Sequence, residues 1–384
     1  MVTTLAAMLA TASVAVLPAQ VAGAATLTVS NCSNSGAGSL PDAVSSAASG
    51  DTITFSVSCP PSSPITLTSA IAITKDLNIA GPGASQLAVS GGDTVQVFIV
   101  AVGVNVSISG ITVEHGAANS GCNIGCGSSG GGIENGGTLT VTNSTVANNS
   151  ANSGCNSNCG AAGGGIENNP TGTLTVTDST ITDNSANIGC TSSCGAAGGG
   201  IKNYGTMTIT DSTVAGNSAN SGCDSNCVGA GGGIDNQGTA TVDASTVSGS
   251  QANNSCSDSC GPTGGGIDNE SAGVLTIHNS TLAGNESNTG CISHCGAFGG
   301  GLYNAGGVTV TNSTISGNSV SGGCSSSCGN DGGGFYNDAG TASFAATIVA
   351  NSSGGADCAG NSATDAGYNL DDDGTCGLSS ANHS

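Results

Sequence analysis

Gly-Gly-Gly followed by an apolar residue begins at Gly130, Gly163, Gly198, Gly231, Gly264, Gly299 and Gly332, at spacings of 33, 35, 33, 33, 35 and 33 residues. A fixed period in this range specifies a solenoid or array, because each unit buries its apolar face only by stacking on the next. Within the unit from Gly130 to Ala162, Leu139 and Val141 alternate with Thr138, Thr140 and Thr142. Period two means strands with one buried face, and no helical period appears in the repeats. Asn143-Ser144 makes a corner, Thr145-Val146-Ala147 is a further short strand, and a small polar loop with Cys155 and Cys159 completes the unit. The two longer units carry their extra residues in one turn, at Asn168–Gly172 and Asn269–Gly273, so the strand register survives the insertion. A propeller blade would want four strands in a longer unit.

The expected fold class is therefore all-β, a right-handed parallel β-helix with neighbouring coils about 4.8 Å apart. Like residues then stack. Ile133, Ile166, Ile201, Ile234, Ile267, Leu302 and Phe335 point inward. Asn135, Asn168, Asn203, Asn236, Asn269, Asn304 and Asn337 form a column whose amides bond one another or turn backbone. Ser39-Leu40-Pro41-Asp42 opens a short helix through Ala48, with an N-cap Ser, Pro in the first turn and an acid behind it. Such a helix would cap the apolar end of the stack. The predicted organisation is a signal peptide over 1–24, a cap and irregular coils without the loop over 25–116, Cys-containing repeats over 117–350, and an Asp/Gly-rich segment without an obvious cap over 351–384.

Composition narrows the function. With 24 Asp and Glu against two Lys and no Arg, the net charge is −22. Nucleic-acid binding needs a basic footprint and is excluded, and docking to an anionic membrane is disfavoured. The apolar run ending in Ala22-Gly23-Ala24 reads as a leader with a small-residue cleavage site, and no later run is long enough to span a membrane. Eighteen Cys, an even count, suit an oxidising compartment. The expectation is a secreted protein, extracellular or at the cell surface.

Units of the form Gly-Gly-Gly-Ile-x-Asn followed by Thr-Leu-Thr-Val-Thr-Asn-Ser-Thr-Val resemble the right-handed parallel β-helix repeats of secreted bacterial proteins, and the polymorphic outer-membrane-protein type of repeat. The lead-in Gly38-Ser39-Leu40 … Gly50-Asp51-Thr52-Ile53-Thr54-Phe55 is similar to that family's N-terminal segment, with Pro41 where Arg is usual. Gly367-Tyr368-Asn369-Leu370-Asp371-Asp372-Asp373-Gly374 resembles the segment that often closes such arrays. The resemblance implies a pectate-lyase-like fold, one that serves many functions.

Fourteen Cys form seven Cys-x-x-x-Cys pairs in the loops. They are Cys122 with Cys126, Cys155 with Cys159, Cys190 with Cys194, Cys223 with Cys227, Cys256 with Cys260, Cys291 with Cys295, and Cys324 with Cys328. Zinc would want four ligands, which two adjacent loops could supply, but seven pairs leave one over and His294 is the only loop His. Disulfides are expected instead, within one loop or between neighbours, with Cys32 joined to Cys59 and Cys358 to Cys376.

Lyase chemistry needs a basic residue beside acids, and the only cations are Lys75 and Lys202. The residue after each inward apolar position reads Glu134, Glu167, Lys202, Asp235, Asp268, Tyr303 and Tyr336. Adjacent coils put Asp235 and Asp268 at a separation that a retaining glycosidase would use, although a solvated acidic stripe is the simpler expectation. Trp, the usual sugar-stacking platform, is absent. Asp371, Asp372 and Asp373 offer clustered hard oxygens for Ca²⁺ without a full EF-hand pattern; no other cofactor is expected. Thr140, Thr175, Thr208, Thr241, Thr276 and Thr309 form an outward column, interrupted around it by Asp243, His278, Val274 and Gly307. The reading that follows is an exported, non-catalytic β-helix, a structural or adhesive surface module that displays repeated weak contacts to carbohydrate or a surface protein. The rivals are a polysaccharide-active enzyme and an ice-binding solenoid acting through the Thr face.

Overall fold

In the computed structural model the three short strands of each repeat stack into three parallel sheets of a β-helix. The structure describes residues 23–120, 127–153, 157–158, 160–189, 192–193, 195–222, 225–226, 228–254, 261–290, 296–322, 329–379, 382 and 384. Residues 1–22 of the expected leader lie outside the described residues. So do all the loop cysteines for which disulfides were expected: Cys122 and Cys126, Cys155 and Cys159, Cys190 and Cys194, Cys223 and Cys227, Cys256 and Cys260, Cys291 and Cys295, and Cys324 and Cys328.

The Ile-x-Asn segments build a ten-stranded sheet, the Thr-rich segments a twelve-stranded sheet, and the Thr-Val-Ala segments an eleven-stranded sheet. Register is direct: Ile133 lies on Ile166, Leu139 on Leu174 and Val146 on Ile181. Ile166, Leu174, Val176 and Ile181 are all fully buried, so one winding supplies four aliphatics to a continuous core. The windings over 51–115 are shorter but join the same three sheets, with Ile53 on Ile79 and Ile79 on Ile108. Most Thr strands leave the sheet through a left-handed Asn143, Asp178, Asp211, Asn279 or Asn312, at φ of 48–50°, while Thr239–Asp243 leaves through Ala244 at φ 47°. Asn and Asp tolerate that conformation better than other residues with a Cβ.

The stacked amides close their own hydrogen bonds. Each Asn of the Ile-x-Asn column donates through Nδ2 to Oδ1 of the next, at 2.7–2.9 Å from Asn135 to Asn337. A second buried ladder was not foreseen. Asn149 donates to Asn184 at 2.9 Å and Asn184 to Asn217 at 3.0 Å, Ser250 interrupts the run, and Asn285 donates to Asn318 at 3.0 Å.

The Cys-bearing insert is more than a polar loop. Its outgoing stems form a seven-stranded parallel sheet, which includes Ser150–Ser153 and Ser185–Gly189. Its returning stems form a four-stranded one, which includes Gly127–Ser129 and Gly160–Ala162. Buried Ala151, Ala161, Ala186, Ala196, Ala219 and Ala252 lie along these stems, small enough to let the two sheets approach closely. The Gly triplet is the crossing point. Gly163 is left-handed at φ 60°, and a Cβ at Gly164 would overlap the carbonyls of Gly199 and Ser185, the latter on the outgoing stem. We call the paired stems the arm.

Both ends are closed. Helix Leu40–Ser46 buries Leu40, Ala43 and Val44, and Ser39 Oγ accepts from Asp42 N at 3.3 Å. Lys75 Nζ donates to Ser45 O at 3.0 Å and Ala47 O at 2.5 Å, neutralising carbonyls at the helix C-terminus. At the other end, where no cap was expected, Cys358–Gly360, Thr364–Asp365 and Leu370–Asp371 add a last strand to each sheet. Disulfides Cys32–Cys59 and Cys358–Cys376 staple the two ends, with Cα separations of 5.9 and 4.7 Å. No helix of the described residues is long and apolar enough to cross a membrane.

Candidate functional site

The column that follows the inward Ile points out of the core, yet it is not a solvated stripe. Glu167 is 6% exposed, Lys202 2%, Asp235 0% and Asp268 3%, so the expectation of an exposed acidic column is corrected. The outgoing and returning stems of the arm accompany these windings, and the insert responsible for them is what the sequence treated as a loop.

Charges this deep must be paired or neutralised. Lys202 Nζ lies 2.7 Å from Asp235 Oδ1 and 2.7 Å from Glu270 Oε1, and 4.7 Å above the Tyr204 ring. Burial pulls the Lys202 ammonium down, but Asp235 and Glu270 outweigh it and hold the group charged above its ordinary range. Gln237 steadies Glu270 through a 3.0 Å hydrogen bond. Asp268, stacked on Asp235, accepts from Thr263 Oγ1 at 2.5 Å. Burial first, and then the Asp235 charge, push the Asp268 carboxyl well up. Burial raises the Asp235 carboxyl as well, to about 7 against the pull of Lys202, so the stacked Asp235 and Asp268 resist full ionisation together. Asp235, committed to Lys202, and Asp268, held by Thr263, are thereby withdrawn as a glycosidase pair.

The column opens at its first armed winding. The preceding winding has no arm, so the underside of the first one is uncovered, and a cleft of about 210 Å³ is lined by Gln96, Ala118, Gly127, Ser128, Ser129 and Glu134. Glu134 is half-buried there, and its carboxylate accepts from Gln96 Nε2 and Asn169 Nδ2, each at 3.3 Å. Gln96 is itself held by the carbonyls of Ser129 at 2.7 Å and Gly130 at 3.1 Å. Glu167 lies directly behind Glu134 in register. Burial pushes the Glu167 carboxyl up to about 7, opposed by a hydrogen bond from Ser129 and reinforced by the Glu134 charge. Glu167 Oε2 is buried and has no hydrogen-bond partner. The arrangement is two stacked carboxylates in different environments, one fixed by amides and open to the cleft, the other desolvated and proton-holding.

Sequence reasoning placed Glu134 and Glu167 in this column but passed over them for Asp235 and Asp268. The available signal was the missing insert before residue 117, which leaves the first arm without a neighbour on one side. Gln96, Ser129 and Asn169 were missed because they meet Glu134 and Glu167 only through stacking. At the far end of the column Tyr303 and Tyr336 stack with ring centroids 5.7 Å apart, and Phe298 leans on Tyr336 at 4.7 Å.

Thr140, Thr175, Thr208, Thr241, Thr276 and Thr309 lie in register on the twelve-stranded sheet, a face other than the one carrying the acids. All but Thr309 are half-buried. Asp371, Asp372 and Asp373 lie at the C-terminal end, where their oxygens converge with one of Asp357 in a cluster able to hold a metal ion.

Three solved structures align with most of the chain. They are pectate lyase Pel9A (16% identity, 93% of this chain and 82% of that one, TM-score 0.38), a mannuronic acid specific polysaccharide family 6 lyase from human gut microbiota (10%, 84% and 87%, 0.25), and the A-module of the Azotobacter vinelandii mannuronan C-5 epimerase AlgE6 (12%, 86% and 92%, 0.22). At these identities the likeness concerns the winding of the chain alone. No family model matches the sequence, and no curated protein does. The expectation of a non-catalytic chain is corrected here. The three aligned proteins, alike in winding alone, are named as polysaccharide-active enzymes; what removes the premise of that expectation in this chain is that the acids whose supposed solvation spoke against chemistry are buried.

Proposed function

We propose that the chain is an exported carbohydrate-active β-helix that hydrolyses glycosidic bonds of a neutral glycan between Glu134 and Glu167. The observation that carries this reading is the in-register stacking of the two carboxylates on neighbouring windings, with Glu134 lining the cleft and Glu167 behind it. A strand spacing of about 4.8 Å approaches the roughly 5–5.5 Å between the two carboxyls of retaining glycosidases. Glu167, holding a proton near neutrality, gives it to the departing glycosidic oxygen. Glu134, oriented by the amides of Gln96 and Asn169, attacks the anomeric carbon. Water then releases the sugar, with Glu167 taking its proton.

Charge supports a neutral substrate. A chain of net charge −22 repels polyuronates, and both lysines are committed, Lys75 to the helix end and Lys202 to Asp235 and Glu270. A lyase base of that type is therefore not at hand. The two end disulfides fit an oxidising, extracellular setting. In this reading the Thr sheet is a second, non-reacting glycan contact, with a shallow hollow of about 460 Å³ around Thr276, Thr309, Thr341 and Ser343.

The test is reducing-end release by the full chain from β-glucan, xylan and mannan, with pectate and alginate alongside. A neutral polymer is cut, Glu167→Gln lowers the rate by about 10²–10⁴-fold, and Glu134→Gln does at least as much. No release from any polymer, unaffected variants, or unsaturated ends from a polyuronate each overturn the reading.

A further inference from the structure

We infer that the C-terminal end of the β-helix carries a Ca²⁺ site built from Asp357, Asp371, Asp372 and Asp373, in which Asp357 is the central ligand. One carboxylate oxygen from each lies within 4.8 Å of all the others. Asp357 is only 2% exposed, and its Oδ2 is buried with no hydrogen-bond partner. Asp371 Oδ1 is also buried and unpartnered. An orphaned carboxylate oxygen inside a group of four acids is what a cation's coordination sphere would satisfy.

The remaining oxygens are tied to the chain, so the acids are aimed rather than merely clustered. Asp357 Oδ1 accepts from Ser352 N at 2.8 Å, Asp371 Oδ2 from Cys376 N at 2.7 Å, and Asp372 Oδ2 from Asn351 N at 3.1 Å. Asp373 Oδ1 accepts from Thr375 N at 2.9 Å and Thr375 Oγ1 at 2.5 Å, and its Oδ2 from Asp357 N at 2.9 Å. Neither lysine of the chain serves here, since Lys75 binds the N-terminal helix and Lys202 binds Asp235 and Glu270. Four acids would therefore face one another without a counter-charge.

The donor set selects the ion. All donors are hard oxygens, and the neighbouring thiols Cys358 and Cys376 are closed in a disulfide. Ca²⁺ binds oxygen at about 2.3–2.6 Å, which sets opposite ligands about 4.6–5.2 Å apart; Mg²⁺, at about 2.0–2.1 Å, would need about 4.0–4.2 Å. The four oxygens lie within 4.8 Å of one another, which admits either ion, and the reluctance of Mg²⁺ to shed its waters favours Ca²⁺ at a site built of carboxylates. Asp357 precedes the strand Cys358–Gly360, and Asp371 ends Leu370–Asp371, so a bound ion joins two of the three closing edge strands beside the disulfide. It would lock shut the end of the stack that covers Phe335 and Phe344.

Calorimetric titration of the full chain with CaCl₂ and melts in Ca²⁺ against EGTA test this. Expected are one saturable site, weaker binding of Mg²⁺, a higher Tm in Ca²⁺, and affinity reduced about tenfold or more by Asp357→Asn. Asp372→Asn, at an exposed position, is the second variant should the first fail to fold, and it too should weaken binding. Lack of saturable binding up to about 10 mM, tenfold beyond the roughly 0.1–1 mM range of extracellular Ca²⁺ modules, or a folded variant that binds like the parent, overturns the proposal.

Discussion

The windings over 51–115 and the armed windings after them share one core but present different outer faces. At the outward position of the Ile-x-Asn sheet the bare windings carry Ala72 and Ile99, in register with each other and then with Glu134. The armed windings carry Glu167, Lys202, Asp235 and Asp268 at the same position, all buried. The spine supplies register and spacing, and the arm supplies desolvation. Chemistry becomes available where the two meet, at Glu134, because an acid stacked on a desolvated acid still has an open side there.

The most damaging change to this contrast should come at the crossing. Gly164→Val drives a side chain into the carbonyls of Gly199 and Ser185, and we expect insoluble protein or loss of the cooperative melt. Gly103→Ala on a bare winding, where a Cβ meets nothing, should cost only about 1 kcal/mol for its left-handed φ.

The two lysines give the next test. Lys202→Met strands Asp235 and Glu270 and should destabilise by about 3–5 kcal/mol in urea unfolding. Lys75→Met removes a half-exposed helix-end contact worth about 0.5–1 kcal/mol. Equal losses would show that the arm does not set the dielectric around the column.

Glu167 adds a pH dependence of definite sign. Its carboxyl is raised in the folded state to about 7, so the folded chain holds a proton that the unfolded chain releases near its ordinary value of 4.5. Stability is full below about pH 4.5 and falls as pH rises toward 7, by up to about 3 kcal/mol, then levels off. Midpoints from urea melts at pH 4.5 and 7.5 should differ in the parent, and Glu167→Gln should shrink that difference by its own share, leaving the part that Asp235 and Asp268 contribute. The shared spine gives a last test. Asn203→Ala leaves the Asn168 donor and the Asn236 acceptor without their partner, and about 1–3 kcal/mol should be lost.

Much of the spine was legible beforehand because stacking repeats one choice many times. The inward Ile column, the Asn ladder, the capping helix and the pairs Cys32–Cys59 and Cys358–Cys376 follow from period, cap residues and chain proximity. The insert was harder to read. Ser, Ala, Asn and Gly have weak strand preference, and their strands exist because identical neighbours stack beside them and Ala packs between two sheets. Glu167 likewise looks like any surface acid until the arm desolvates it, and Asp357 stands fourteen residues from Asp371 with no motif to join them.

A period of 33–35 residues with triple glycines and alternating Thr and aliphatics determined by itself that the chain winds, and which residues share a column. Stacking is periodic, so periodicity reveals it. Whether a column faces water or protein was decided only by the tertiary structure. Solvation depends on what folds back across a face, and that segment lies elsewhere in the unit.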